Sequence, residues 1–256
     1  MKQKILGYEI DTLSVDQCTD SIFAALRWPS EESSPSSWLA CLNPHSYAVA
    51  LDDPVFAEAL KNADWLVPDG AGVVMASKVL GGGVAERVTG SDVFFGLLER
   101  MNSAGGMSVF FLGATVDTLD LIGARMAKDY PGVKVAGMYS PPFKATYSSA
   151  ENDEIINAIN TVAPDVLWVG MTAPKQEKWI HANRTRLCVR FTGAIGAVFD
   201  FYAGRVKRSH PLFQRLGLEW LPRLIQQPRR LWRRTFVSAP VFVLHVLQKM
   251  LSNGRG

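Results

Sequence analysis

A carboxylate and a guanidinium, Asp69 and Arg87, lie 18 positions apart in the glycine-rich stretch 64–92. Asp69 stands in a Pro-Asp-Gly turn directly after the apolar run 65–67, and Arg87 opens the sequence RVTGSD. An aspartate at such a place can take the proton from an attacking hydroxyl, and an arginine can bind an anionic or hydroxylated ligand. Pro-Asp-Gly is also ordinary turn chemistry, which by itself favours a structural turn over a catalytic base.

The segment 170–177, GMTAPKQE, is a second candidate because it links an apolar run to a helical pattern. Pro174 suits the first turn of a helix, and the free N–H groups of a helix start can bind a phosphate or a sugar. Gln176 offers both a donor and an acceptor. An ordinary loop with an exposed Lys-Gln-Glu surface explains the same residues equally well.

The segment 193–200, GAIGAVFD, superficially matches a dinucleotide fingerprint, but it lies at the end of the predicted sheet region, and no acid follows at about 20 residues after a second strand. Its small residues could let the backbone approach a diphosphate or let a helix pack closely. The sequence has no D-x-D, and its four histidines show no ligand spacing, so we predict no metal and no cofactor. The charge of a leaving diphosphate would then be met by arginines and helix ends.

The elements that must position these residues alternate along the chain. We predict strands at 38–42, 65–67, 108–112, 133–138, 165–169 and 188–192, with helices at 15–26, 54–62, from 71, 92–102, 150–160 and 175–184. A further helix is predicted after the turn 113–115, with Leu119, Ile122, Met126 and Tyr130 on one side. Continuous apolar strands indicate an α/β fold with a Rossmann-like, mostly parallel sheet and helices on both faces. Ligands of such sheets sit at the carboxyl ends of the strands, where we expect Asp69, Gly113, Tyr139, Gly170 and Gly193.

Charge divides the chain near residue 204. Residues 205–256 hold eleven Lys or Arg and one acid, a net +10, which leaves −7 for residues 1–204 given the overall +3. We predict an α/β core over 1–204 and a basic amphipathic helical appendage over 205–256 that meets an anionic partner. The apolar stretch 235–251 suits a helix in a membrane interface or one packed on the core or another subunit. The first residues do not read as a signal peptide, and three cysteines without C-x-x-C spacing fit a reducing cytosol.

Several motifs then occur together in one order. They are Asn43, PDG-x-G at Pro68–Gly72, RVTGSD at Arg87–Asp92, FLGA at Phe111–Ala114, PKQE at Pro174–Glu177, FDFYAG at Phe199–Gly204 and GLEWLPRL at Gly217–Leu224. With these motifs the chain, over roughly residues 40–235, resembles the WecG/TagA/CpsF family of bacterial glycosyltransferases (glycosyltransferase family 26).

The resemblance implies an inverting, metal-independent transfer from a UDP-sugar to a polyprenyl-diphosphate-linked sugar acceptor. The donor sugar would be N-acetylmannosamine, its uronic acid, glucose or glucuronic acid, and the product would serve cell-wall or extracellular polysaccharide synthesis. The enzyme would be cytoplasmic and peripheral on the inner face of the cell membrane, with no nucleic acid partner and with homo-oligomerisation left open.

The resemblance also assigns roles to residues. Asp69 would be the base, and the substrates would be bound by Cys41, Asn43, Arg87, Asp92 and Gln176. The diphosphate would lie against Gly113, Tyr139, Gly170, Pro174 and Gly193 and against the appendage arginines Arg223, Arg230 and Arg233. The chain departs from the usual family pattern at Cys41, where members often have Thr, at Thr172, and at Arg208–Pro211; Cys41 bears on which donor and acceptor are used.

Two other functions compete with this interpretation. A nucleotide-cofactor oxidoreductase would need G-x-G-x-x-G after the first strand of the sheet, where the chain has Asn43-Pro44-His45 instead. A non-enzymatic module that binds anions or membranes through the tail would leave the polar, glycine-lined strand ends unexplained.

Overall fold

The computed structural model describes residues 1–27, 35–206 and 232–253. Its centre is a six-stranded sheet in the order β4-β3-β8-β7-β5-β6, and every pairing in it is parallel. The strands are β3 (Ser37–Leu42), β4 (Trp65–Pro68), β5 (Met107–Gly113), β6 (Val133–Tyr139), β7 (Val166–Gly170) and β8 (Phe191–Ala194). The predicted α/β class with a parallel, Rossmann-like sheet is confirmed.

Helices cover both faces of this sheet. They are α1 (Val15–Arg27), α2 (Pro44–Asp52), α3 (Pro54–Lys61), α4 (Ala71–Val79), α5 (Gly90–Ala104), α6 (Val116–Asp129), α7 (Ser149–Val162), α8 (Lys175–Asn183) and α9 (Val198–Tyr202). Alternate residues of one strand enter two separate cores: Leu167 and Val169 pack on one side, and Val166 and Trp168 on the other. Burial on both sides explains why the strands are apolar without interruption.

Three local features differ from the sequence predictions. Residues 2–11 form an antiparallel hairpin, β1 (Lys2–Ile5) and β2 (Tyr8–Asp11), where no strand was predicted. Asn43-Pro44 does not merely end β3, because Asn43 caps α2 and Pro44 occupies its first turn. The last strand begins at Phe191 rather than residue 188, because pairing with β3 and β7 starts there. Gly193 therefore lies within β8 and does not follow it.

The C-terminal segment 232–253 contains a π-helical turn, Arg234–Ser238, and α10 (Ala239–Asn253). One face of α10 packs on α2 and α4, and it buries Phe242 and Val246. Hydrogen bonds join Ser238 Oγ to His45 Nδ1 at 2.9 Å and His245 Nδ1 to the Tyr47 hydroxyl at 2.7 Å. This face of α10 therefore packs on the core, which is one of the alternatives predicted for the stretch 235–251.

The opposite face of the same segment is apolar and exposed. It carries Phe236, Val237, Val243, Leu244, Leu247, Met250 and Leu251. By length and composition alone the helical stretch 234–252 could cross a membrane, and most of it is not buried in the protein.

Candidate functional site

The carboxyl ends of β3 and β4 hold Asn43 and Asp69 against each other. Asn43 Oδ1 accepts hydrogen bonds from the backbone N–H groups of His45 and Ser46, at 3.0 and 2.9 Å. Since backbone N–H groups only donate, Oδ1 must face them and Nδ2 must face the other way. Nδ2 donates to Asp69 Oδ2 at 3.2 Å, and the Asp69 N–H donates to the Leu42 carbonyl at 2.8 Å. The half-buried Asp69 carboxylate is thus fixed at the edge of the sheet.

The turn after Asp69 requires glycine at two positions. Gly70 has φ +114°, a conformation that residues with a side chain rarely adopt. A Cβ on Gly72 would lie 2.8 Å from Cγ of Pro44, so α4 and α2 begin in close contact. These glycines let two helices start beside the same carboxylate.

Arg87 approaches the site from the segment that follows α4. The Val88 N–H donates to the Pro68 carbonyl at 3.1 Å, so this segment runs beside the last residue of β4. Arg87 is half-buried there, one residue from this contact. The predicted pair of Asp69 and Arg87 is therefore placed at one strand end.

Cys41 is a half-buried thiol in β3, two residues before Asn43. Burial raises the pKa of this thiol well above its usual range, and the carboxylates of Asp69 and Glu177 raise it further. An opposing contribution to the pKa comes from a hydrogen bond with the Gly90 N–H at the start of α5. Cys41 is consequently a neutral thiol at physiological pH, between two carboxyl groups.

Gln176 and Glu177 are both buried at the start of α8, with 4% and 3% of their surfaces exposed. Gln176 Nε2 donates to Glu177 Oε1 at 2.9 Å, and Gln176 Oε1 accepts from the Gly196 N–H at 3.1 Å. Within the described residues Glu177 Oε2 is buried and has no hydrogen-bond partner, and burial raises the pKa of the Glu177 carboxyl to about 7.

The sequence analysis did not single out Glu177, because one of the two interpretations of the Lys-Gln-Glu run made it an exposed surface and the other assigned a role only to Gln176. A signal was present, since Glu177 lies three residues before the buried Ile180 and so shares its helix face.

Asp92 has a role in starting α5. Its Oδ2 accepts from the backbone N–H and the hydroxyl of Thr89, at 3.0 and 2.8 Å, and the Asp92 N–H donates back to Thr89 Oγ1. This capping box fixes the helix start at Gly90, next to Cys41. The carboxylate of Asp92, predicted to bind substrate, therefore caps the N-terminus of α5.

Three glycines predicted beside the diphosphate have packing roles. A Cβ on Gly170 would lie 2.3 Å from the Phe199 ring, and one on Gly193 would lie 2.3 Å from Trp168. Gly113 has φ +119°, and its Cβ would lie 2.6 Å from the Gly170 carbonyl oxygen. Contacts inside the protein therefore account for all three glycines.

Tyr139 and Asp69 lie at opposite edges of the sheet. Tyr139 ends β6 and Asp69 follows β4, five strand spacings or about 24 Å away. The Tyr139 hydroxyl donates to Glu154 Oε1 at 2.8 Å. Pro174, by contrast, directly precedes α8 and stands two residues from Gln176. The structure therefore places Pro174 beside Gln176 and leaves Tyr139 far from Asp69.

Arg233 is the one predicted appendage arginine within the described residues; Arg223 and Arg230 lie outside them. Burial lowers the pKa of His45, and the charges of Arg234 and Arg233 lower it further. Both arginines therefore stand near the start of α2, on the side of the site that holds Asn43. Within residues 1–27, 35–206 and 232–253 no group of three His, Cys, Asp or Glu side chains could hold a metal ion.

A parallel α/β sheet with polar side chains gathered at the carboxyl ends of its strands is the arrangement typical of α/β enzymes. The family model described as "Glycosyl transferase WecG/TagA/CpsF family" matches residues 3–256. The chain belongs to this family and is a glycosyltransferase.

Relatives from two bacterial genera are similar over most of their lengths. A protein of Bacillus spizizenii is 32% identical over 234 residues, 91% of this chain and 88% of its own. A protein of Bacillus subtilis is 32% identical over 82% of this chain and 79% of its own, and one of Staphylococcus aureus is 26% identical over 96% and 92%. All three are named N-acetylglucosaminyldiphosphoundecaprenol N-acetyl-beta-D-mannosaminyltransferase.

Proposed function

We propose that the protein transfers N-acetylmannosamine from its UDP-sugar to N-acetylglucosamine linked to a polyprenyl diphosphate, with inversion and without a metal ion. The observation that carries this proposal is the hydrogen bond from Asn43 to Asp69 at the carboxyl edge of the sheet. The names of the relatives supply the acceptor and the transferred sugar.

In the proposed step Asp69 accepts the proton of the acceptor hydroxyl. The hydroxyl oxygen forms a bond to the anomeric carbon while the bond from that carbon to the diphosphate oxygen breaks, and UDP leaves with the electron pair. Asn43 orients the base through its bond to Oδ2, which leaves Oδ1 of Asp69 for the acceptor. Arg87, Arg233 and the appendage arginines Arg223 and Arg230 would meet the growing charge on the diphosphate.

We further propose that residues 205–256 hold the enzyme on the inner face of the cell membrane, where a polyprenyl acceptor resides. The apolar outer face of α10 and the net +10 of the appendage support this placement, since apolar area and basic charge both strengthen binding to an anionic bilayer.

The test is release of UDP from a panel of UDP-N-acetylmannosamine, its uronic acid, UDP-glucose and UDP-glucuronic acid, with N-acetylglucosaminyl-diphosphoprenol as acceptor. We expect acceptor-dependent release with UDP-N-acetylmannosamine that persists in excess EDTA. Release with only another donor would change the proposed sugar, and loss of activity in EDTA with recovery on adding a divalent ion would overturn metal independence.

A further inference from the structure

Glu177 is a buried carboxyl group that the proposed chemical step does not use. A glutamate in the first turn of a surface helix is normally solvated, yet only 3% of the surface of Glu177 is exposed. Among the described ion pairs none involves it, and its Oε2 has no hydrogen-bond partner. Burying a polar group without full hydrogen bonding costs free energy, so packing alone gives no reason for a carboxyl here.

The contacts of its neighbour give Glu177 a task. Gln176 Oε1 accepts from the Gly196 N–H at 3.1 Å, and a backbone N–H can only donate. The carboxamide must therefore keep its oxygen towards Gly196 and its nitrogen towards Glu177 Oε1, 2.9 Å away. Glu177 accepts one hydrogen of Nε2, and within the part of the chain that the structure describes no acceptor meets the other.

We propose that Glu177 is a positioning residue that holds the Gln176 carboxamide in one orientation for the donor substrate. Without the acceptor at Glu177, the carboxamide loses the contact that fixes its nitrogen end. The bridge from the start of α8 to the loop after β8 at Gly196 is then weakened as well. This inference rests on the proposed function, because it takes Gln176 as a ligand of the UDP-sugar.

The neighbourhood places this pair within the site. Glu177 lies at the start of α8, which follows the carboxyl end of β7, and Gly196 follows the end of β8, which pairs with both β7 and β3. Asp69 follows β4, the parallel neighbour of β3, so Glu177 lies at the same edge of the sheet as the proposed base, and it contacts Gln176 rather than the reacting atoms.

The experiment compares four full-length variants by UDP release: Glu177→Gln, Glu177→Leu, Gln176→Leu and the double Leu variant. Glu177→Gln keeps an oxygen acceptor for Nε2, and we expect its KM for the UDP-sugar to stay within about twofold of the wild type. Glu177→Leu removes the acceptor, and loss of one hydrogen bond predicts a KM for the UDP-sugar about five- to tenfold higher, with kcat changed less than KM. The double variant should be no worse than Gln176→Leu, because Glu177 acts through Gln176.

Thermal unfolding of each variant establishes that it is folded before its kinetics are compared. Multiplying effects in the double variant, or a KM for Glu177→Leu equal to that of the wild type, would overturn the positioning role. Equal increases in the KM for the UDP-sugar in Glu177→Gln and Glu177→Leu would also overturn it, because Gln still offers an oxygen acceptor to Nε2 and Leu does not. Failure of the proposed function is distinguishable, because the wild type itself would then release no UDP with this donor and acceptor.

Discussion

Asn43 Nδ2 donates to Asp69 Oδ2 at 3.2 Å while Oδ1 of the same amide caps α2. One side chain thus ties the start of a helix to the carboxylate that follows the next strand. The orientation of the amide is set by two backbone N–H groups, so the direction of its bond to Asp69 is set by the fold. The proposed base is held by secondary structure and does not depend on a flexible neighbour.

Asp69→Asn removes the basic oxygen and keeps the size of the side chain. Loss of one general base predicts a fall in kcat of roughly 10²–10⁴-fold, measured by UDP release. The matched control is Asp120→Asn, the same change at an exposed position on α6, which should leave kcat unaltered. Turnover near the wild-type value in Asp69→Asn would show that Asp69 is not the base.

Asn43→Ser and Asn43→Ala separate the two tasks of Asn43. Ser caps helices about as well as Asn, whereas loss of the cap in the Ala variant costs roughly 0.5–2 kcal/mol of the free energy of unfolding. Neither variant has an amide to donate to Asp69. We expect both to lose activity to a similar degree, with only Asn43→Ala less stable in urea unfolding. Full activity in Asn43→Ser would mean that the bond to Asp69 has no part in the reaction.

The order of strands and helices could be predicted because burial on both faces of the sheet leaves a readable pattern of apolar runs. The helix at Pro44–Asp52 was not predicted, since Asn43-Pro44 fits a loop as well as a capped helix start. The shift of β8 to Phe191 has a similar reason: Val189 is buried and apolar, but pairing with neighbouring strands decides where the strand begins.

The sequence predicted the candidate site residues that directly follow strands, and it did not single out the residue whose properties depend on burial. Asp69 and Asn43 could be placed at one edge because parallel strands end together. The burial of Glu177 was indicated by its place on the helix face of Ile180, but its contact with Gln176 and the contact of Gln176 with Gly196 depend on the tertiary structure. The glycines at 113, 170 and 193 fit ligand approach and close packing equally well from the sequence. Only the structure shows the aromatic rings beside Gly170 and Gly193 and the backbone carbonyl beside Gly113.

Stability should depend on pH through Glu177. Its pKa is raised from 4.5 to about 7, so between these values the folded chain keeps a proton that the unfolded chain has lost. The free energy of unfolding then falls as pH rises through this window. Glu177→Gln carries no charge and should remove this fall, a difference on the order of 2 kcal/mol between pH 5 and pH 8. Urea unfolding at both pH values measures it, and parallel pH dependences would contradict it.

Contact between the C-terminal segment and α2 should weaken in acid. The pKa of His45 is lowered by burial and by Arg234 and Arg233, so the docked segment disfavours the protonated ring. The contribution of neutral His45 to the stability of the docked segment is complete above about pH 6.5 and is lost as the pH falls below this value. We expect faster amide hydrogen exchange in α10 at pH 5.5 than at pH 7.5, after correction for the intrinsic rate. His45→Gln should remove the difference; if it persists unchanged, another group is responsible.

The outer face of α10 should bind bilayers through its apolar side chains. Leu247 on α10 and Leu121 on α6 are each 45% exposed, so the same change to Asp at either position alters a leucine of equal exposure. A charge on a membrane-facing helix opposes burial in the lipid, and we expect Leu247→Asp to reduce flotation with anionic liposomes at least tenfold. Leu121→Asp should float like the wild type, because α6 packs on β6 and α9, whereas α10 packs on α2 and α4. Removal of residues 205–256 should abolish flotation. Competition by DNA would point to nucleic acid as the anionic partner, and equal flotation of the two leucine variants would show that α10 does not face the membrane.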